Sequence, residues 1–438
     1  MSDNPFRLRS SIATATIAAC ALVAATPAHA IPTDPAALSS QYLPANPPDD
    51  FYTAPAELGA PGSVLKSRGE RLVGDGTPLA LGSRSTIMYT STTMHGQPVA
   101  VTGTIIEPHA RWQGPGAQPT VVFAPGTRGQ GDVCAPSRST DFIGQVQASS
   151  GSVNINYEAP AQLEALRSGI RVVVTDYIGL GTAGHHTYVN HTEEGRAVLD
   201  AARAALKFAG APADAPVGLY GYSQGGGAAA SAAEQAGNYA PELNIKGTYA
   251  GAPPADLLTV MEAVDRSAIV GVLGMALNGY MERSPEVRAA VYPQLNDRGR
   301  AFLAGVSEAC IPDAAVKWGF WDTRWLTTSG KSFAEVVRDV PAAHRMLEDQ
   351  KLGKAAPNAP IMIHNATHDD LIPYHQARQL ARDYAARGAT VYFTSNEVPT
   401  LAERTGLNHV EAFFSGHVPS MDYLIARFYD QPAPQGGY

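Results

Sequence analysis

A serine hydroxyl is a poor nucleophile until a base holds its proton, and a chain that uses one must lift it clear of its surroundings. In Gly221-Tyr222-Ser223-Gln224-Gly225 an apolar run, 217–220, leads into G-x-S-x-G and then into a Gly- and Ala-rich stretch, 226–233. Strand, sharp turn and helix in that order expose a serine oxygen at the end of a sheet. The flanking glycines are needed where a side chain would strike the neighbouring strand or helix. With 42 glycines in the chain the pentapeptide alone is a weak signal. Its context separates it from Ser307 in Gly305-Val306-Ser307-Glu308-Ala309, which lacks both the strand and the second glycine. The chemistry this implies is acyl transfer through a covalent intermediate on Ser223.

Such a serine needs a base, and the base needs an acid that fixes its tautomer and stabilises the imidazolium. In the strand–turn–helix context the partners follow in the order Ser, acid, His, on loops after later strands. The apolar run 361–364 opens into Asn365-Ala366-Thr367-His368-Asp369-Asp370-Leu371-Ile372-Pro373. Either Asp369 or Asp370 is the acid, and the other is a candidate helix cap. Downstream lie His375, His409 and His417. His375 falls inside the next helical pattern. His409 and His417 both sit between the last strand and the last helix, and pattern leaves the choice open.

The tetrahedral intermediate calls for two backbone N–H groups aimed at its oxyanion. One belongs to Gln224, the residue after the nucleophile. The other is expected from Pro125-Gly126-Thr127-Arg128-Gly129-Gln130-Gly131, beyond the strand 120–124. A Gly-rich loop also suits phosphate, but no Gly-Lys-Ser/Thr ending follows.

The elements that must hold these groups read as an α/β chain. Residues 84–93 and 98–107 flank His95-Gly96-Gln97 as a hairpin. Beyond it, apolar runs at 120–124, 169–175, 217–220, 245–250, 361–364 and 390–393 alternate with helical patterns such as 193–208 and 374–387. The expected architecture is a mostly parallel sheet with helices on both faces. About a hundred residues separate the strands at 245 and 361, far more than one crossover helix needs. Residues 254–352 therefore read as a helical cap inserted into the core, with 31–253 and 353–438 as the core's two parts. Within it, 267–281 is apolar nearly all round and must be covered. A cap of this kind roofs a site or serves as a structural subdomain.

Arg7 and Arg9 precede an Ala-rich run, 11–25, that ends near Ala28-His29-Ala30, the layout of an export signal cleaved after Ala30. The run is shorter than the roughly 18 apolar residues of a membrane span. A competing reading anchors a lipoprotein through Cys20, although the apolar run continues past it. Residues 31–55, rich in Pro and Ala, read as an extended arm. A net charge of −8 with no Lys/Arg runs gives no footprint for nucleic acid. Without Cys20 only Cys134 and Cys310 remain, which in an oxidising compartment form one disulfide or stay as two buried thiols. No Cys/His spacing matches a zinc site, and the chemistry needs no cofactor.

With these residues in view the chain resembles the secretory lipase family, the lipase A type of yeasts and its actinobacterial relatives, within the α/β-hydrolase fold. Four segments carry the resemblance: 126–137, ending in Asp132-Val133-Cys134-Ala135-Pro136-Ser137; Asp176-Tyr177-Ile178-Gly179-Leu180-Gly181-Thr182; the elbow at Ser223; and 409–428. The resemblance implies Asp369 as the acid, four residues before Pro373, and His409 as the base. It puts His417 where relatives tolerate apolar residues. It maps the early oxyanion donor to Thr127 or Arg128 without choosing, because the glycine-rich stretch departs from the yeast pattern. It further implies a lid tied by a Cys134–Cys310 disulfide to the early loop, and a hydrophobic, lipid-like ester as substrate, met in solution or at a lipid–water interface. An acyltransferase or peptidase using the same three residues, or a non-catalytic binding protein of this fold, are the alternatives.

Overall fold

The computed structural model describes residues 49–70, 81–139, 144–146 and 152–438. The export segment 1–30, with Cys20 and the cleavage after Ala30, and all of the 31–55 arm before residue 49 lie outside the described residues. At the arm's described end Tyr52 is buried, with its hydroxyl 2.9 Å from Ser137 Oγ and Arg138 stacked over its ring.

The first part of the chain supplies β1 (Val64–Glu70), β2 (Gly82–Thr92), β3 (Pro98–Pro108), β4 (Thr120–Ala124), the small hairpin β5 (Gly144–Val146) and β6 (Val153–Ile155), α1 (Ala159–Arg167), β7 (Arg171–Thr175), α2 (His191–Phe208), β8 (Val217–Tyr222), α3 (Gln224–Tyr239) and β9 (Ile245–Gly251). Seven helices follow: α4 (Leu257–Val264), α5 (Gly271–Arg283), α6 (Pro285–Val291), α7 (Asp297–Val306), α8 (Ile311–Trp318), α9 (Phe333–Asp339) and α10 (Pro341–Gln350). The chain then returns through β10 (Ile361–His364), α11 (Tyr374–Ala386), β11 (Val391–Thr394) and α12 (Leu407–Phe428).

Nine strands form one sheet in the order β1-β2-β3-β7-β4-β8-β9-β10-β11. From β7 to β11 every neighbour is parallel, and the β1-β2-β3 end is antiparallel. Successive residues of one strand serve opposite cores. Val122, Val173, Ile361 and Ile363 pack under α2, α3 and α11, whereas Phe123, Val172, Val174 and Met362 pack under α1 and α12. Burial on both faces is why these strands read as unbroken apolar runs rather than alternating ones. This is the α/β-hydrolase fold. Helices α4–α10 hold a separate core around Phe302, Trp318, Trp321 and Phe333, and the apolar 267–281 stretch becomes α5, buried within it.

Two features differ from the sequence reading. Strand β1 carries no apolar run, because in Val-Leu-Lys-Ser-Arg-Gly-Glu the charged Lys, Arg and Glu break the pattern, as suits a strand at a sheet edge. The last helix starts at Leu407, so His409 and His417 lie inside it rather than before it. Pro419 sits within this helix and has no N–H to donate to the carbonyl four residues back.

Candidate active site

Strand β8 ends at Tyr222, and Ser223 takes φ +61° and ψ −125°, outside the regions ordinary L-residues occupy. The two flanking glycines make that turn possible. A Cβ on Gly221 would lie 1.9 Å from the Gly225 carbonyl oxygen, and one on Gly225 would lie 1.9 Å from that of Ala124. Helix α3 then starts at Gln224, whose N–H, at the first helical position, has no partner within the helix.

Ser223 Oγ lies 2.9 Å from His409 Nε2, and His409 Nδ1 donates to Asp369 Oδ2 at 2.8 Å. The Asp369 carboxylate is fully buried, and its other oxygen accepts the N–H groups of Leu371 and Ile372 at 2.9 and 2.8 Å. Burial disfavours the charged imidazolium of His409, but the charge and hydrogen bond of Asp369, with Asp370 behind it, outweigh that and raise its pKa. With Nδ1–H directed at Asp369, Nε2 is free to accept the serine proton.

His417 lies eight residues further along α12, a rise of about 12 Å. Its Nδ1 donates to the Phe414 carbonyl at 2.8 Å and its ring stacks on Phe413. Asp370 faces backbone instead of imidazole, accepting the N–H groups of Gly406 and His409. Tyr222, which pattern did not single out, donates its hydroxyl to the His409 carbonyl at 2.6 Å and packs its ring beside the imidazole.

The two oxyanion candidates after β4 point different ways. Thr127 Oγ1 is 2.9 Å from the hydroxyl of Tyr188. The Arg128 side chain turns inward to a buried ion pair with Glu158 and to Asn156 Oδ1 at 2.8 Å. Cys134 and Cys310 are joined, and beside them Ile311 N–H donates to the Arg128 carbonyl at 2.8 Å.

Ser223, Gln224 and His409 line one pocket together. Its other walls are apolar: Leu257, Val260 and Met261 of α4, Leu273 and Ala276 of α5, and Met346 and Leu347 of α10. A serine hydroxyl hydrogen-bonded to an imidazole beside an apolar pocket is an arrangement that suits acyl transfer on a hydrophobic substrate.

The model of the secretory lipase family matches residues 144–436. The chain belongs to the secretory lipase family. Among its relatives is a probable inactive lipase of Mycobacterium tuberculosis, 31% identical over 81% of this chain and 78% of that protein. Lipase 2 of Candida albicans is 28% identical over 89% of this chain and 82% of its own length. The crystal structure of Candida antarctica lipase A in its closed state aligns with a TM-score of 0.72 at 25% identity, covering 89% of this chain and 87% of the other. Membership places the chain among lipase- and esterase-type hydrolases. Among the described residues, no helix is long and apolar enough to cross a membrane.

Proposed function

We propose that the protein is a serine ester hydrolase acting on lipid-like carboxylic esters, a triacylglycerol lipase or carboxylesterase, with Ser223, His409 and Asp369 as its triad. The observation that carries this reading is the hydrogen-bonded Ser223–His409–Asp369 chain opening into an apolar pocket. His409 Nε2 takes the proton as Ser223 Oγ bonds to the ester carbonyl carbon. Collapse of the tetrahedral intermediate expels the alcohol, which leaves with that proton. Water, deprotonated by the same nitrogen, then attacks the acyl-enzyme, and that proton passes to Ser223 Oγ as the acid is released. Gln224 N–H and Thr127 N–H are the proposed oxyanion donors. The hydroxyl bond to pocket-lining Tyr188 supports Thr127, and the inward turn of the Arg128 side chain speaks against Arg128.

Residues 254–352 act in this reading as the cap that supplies the acyl-binding wall. Export with cleavage after Ala30 accords with the family's secretory character and with a disulfide between the cysteines that remain. The name of the mycobacterial relative favours a second reading, a non-catalytic member of the family. The complete hydrogen-bonded triad favours activity.

Hydrolysis of p-nitrophenyl esters and triacylglycerols of increasing chain length, and of aminoacyl p-nitroanilides, by the wild type and Ser223→Ala tests the proposal. Loss of a triad member costs about 10⁴- to 10⁶-fold in rate. The expected outcome is turnover that rises with acyl length and vanishes in the variant. An inactive wild type supports the non-catalytic reading, and preferential cleavage of aminoacyl amides points to a peptidase.

A further inference from the structure

An oxyanion hole made from two separate chain segments works only if something fixes the distance between them, because misplacement by about 1 Å costs around a hundredfold. The two segments here, 125–131 and the start of α3, meet a third, residues 185–190, between β7 and α2. Thr127 Oγ1 is 2.9 Å from Tyr188 OH, and Gln130 Nε2 donates to the His186 carbonyl at 2.9 Å. On the other side Gln224 Nε2 reaches His186 Nε2 at 2.9 Å and Glu194 Oε1 at 2.7 Å. The same Glu194 oxygen accepts Val189 N–H at 2.8 Å. Gln130, His186, Glu194 and Gln224 are all buried.

The partners of His186 and Gln224 are complete, whereas Glu194 Oε2 is buried without a hydrogen-bond partner among the described residues. His186 Nδ1 donates to the Ile178 carbonyl at 3.1 Å, which leaves Nε2 as an acceptor for Gln224. Burial keeps this imidazole neutral, pushing its pKa down to about 4. Both protons of the Gln224 amide are therefore used, one on His186 and one on Glu194. The strap is laid down by the Asp176–Thr182 motif, whose role the triad leaves unexplained. Gly179 takes φ +75° there, and a Cβ on it would sit 2.2 Å from the His185 carbonyl oxygen.

We infer that residues 186–189, clamped by Glu194 and the Gln224 side chain, form a positioning strap that sets the spacing of the two oxyanion donors. This rests on the hydrolase reading. In it Glu194, His186 and the Gln224 amide are positioning groups that act through the backbone of the strap and of Gln224. The Val189 backbone, at φ +53°, is held against its preference by the Glu194 bond.

The test compares Gln224→Leu, Glu194→Leu and Glu194→Gln with the wild type and Ser223→Ala. It measures kcat and KM on p-nitrophenyl butyrate and the affinity for phenylboronic acid, a tetrahedral adduct former. Active sites are counted by titration with a fluorophosphonate. Both Leu variants should lose about 10- to 100-fold in kcat per titrated site, with KM nearly unchanged and boronate affinity reduced in parallel. Glu194→Gln, whose amide oxygen still accepts both bonds, should recover most of the rate. Leu variants whose titrated sites turn over at the wild-type rate overturn the strap, whatever fraction folds. A wild type without Ser223-dependent turnover overturns the hydrolase reading and the strap with it.

Discussion

Asp370 Oδ1 accepts the backbone N–H of His409 at 3.2 Å, while its other oxygen accepts that of Gly406 at 2.6 Å. The carboxylate next to the acid candidate thus caps the helix that presents the base candidate. Adjacent residues divide the work, Asp369 holding the imidazole and Asp370 the backbone beneath it.

Replacement by Asn should separate the two. Asp369→Asn leaves an amide where an acceptor for His409 Nδ1–H is needed, and the comparable change in a known triad costs about 10⁴-fold in kcat. Asp370→Asn keeps one acceptor oxygen and loses part of a cap worth about 1 kcal/mol, so its kcat should fall by roughly tenfold or less. Steady-state kinetics of the two purified variants decides, and the opposite order would hand the acid's role to Asp370.

The pH profile follows from His409. A general base must be neutral, and Asp369 raises the pKa of His409 above the ordinary 6.5. Activity should therefore rise with pH through a midpoint above 6.5 in kcat/KM, which reports the free enzyme. A profile with its acid limb centred below 6 would mean that another group controls it.

How far the sequence reveals this site depends on how local each constraint is. The elbow is legible because two glycines are demanded within five residues by contacts of 1.9 Å. The core strands are legible because burial on both faces leaves runs such as Arg171–Thr175 with almost no polar interruption. The choice between His409 and His417 is not local, since both lie on α12 and only its packing against β8 and the Asp369 loop turns one ring toward Ser223. Pattern leaves Asp369 and Asp370 undecided for the same reason, and the family resemblance points to the residue that bonds the imidazole. Glu194 and His186 left no usable signal. The first reads as an ordinary acidic residue in the first turn of a helix, and the partners of both are 30 and 38 residues away at Gln224.

Glu194 also has a consequence for stability. Burial pushes its pKa up to about 8 from an ordinary 4.5, against the hydrogen bonds from Gln224 and Val189 and with help from the charge of Glu193. Between those values the folded protein keeps a proton that the unfolded chain releases, so this group's contribution falls as pH rises from about 4.5 to about 8 and is level above. Glu194→Gln cannot ionise. The difference in Tm, variant minus wild type, should grow between pH 5 and pH 8, and parallel melting curves across that range would contradict a neutral Glu194.

The disulfide ties the segment that follows the Thr127–Arg128 loop to the residue that opens α8. Cys134 and Cys310 are 176 residues apart, and chain entropy puts an upper figure of about 5 kcal/mol on closing such a loop. Removing the link leaves in place the bonds from Gln130 N–H to the Ala309 carbonyl and from Ile311 N–H to that of Arg128, at 3.0 and 2.8 Å. The double variant Cys134→Ala/Cys310→Ala should therefore still fold, with a lower Tm and a loss of about 2–4 kcal/mol in urea unfolding. Because the surviving bonds still hold the Thr127 loop, kcat on a short ester should fall less than stability does. Thiol titration of the denatured, unreduced mature wild type, which lacks Cys20, supplies the control: two reactive thiols per chain would show the link is not made, and none is the expected count.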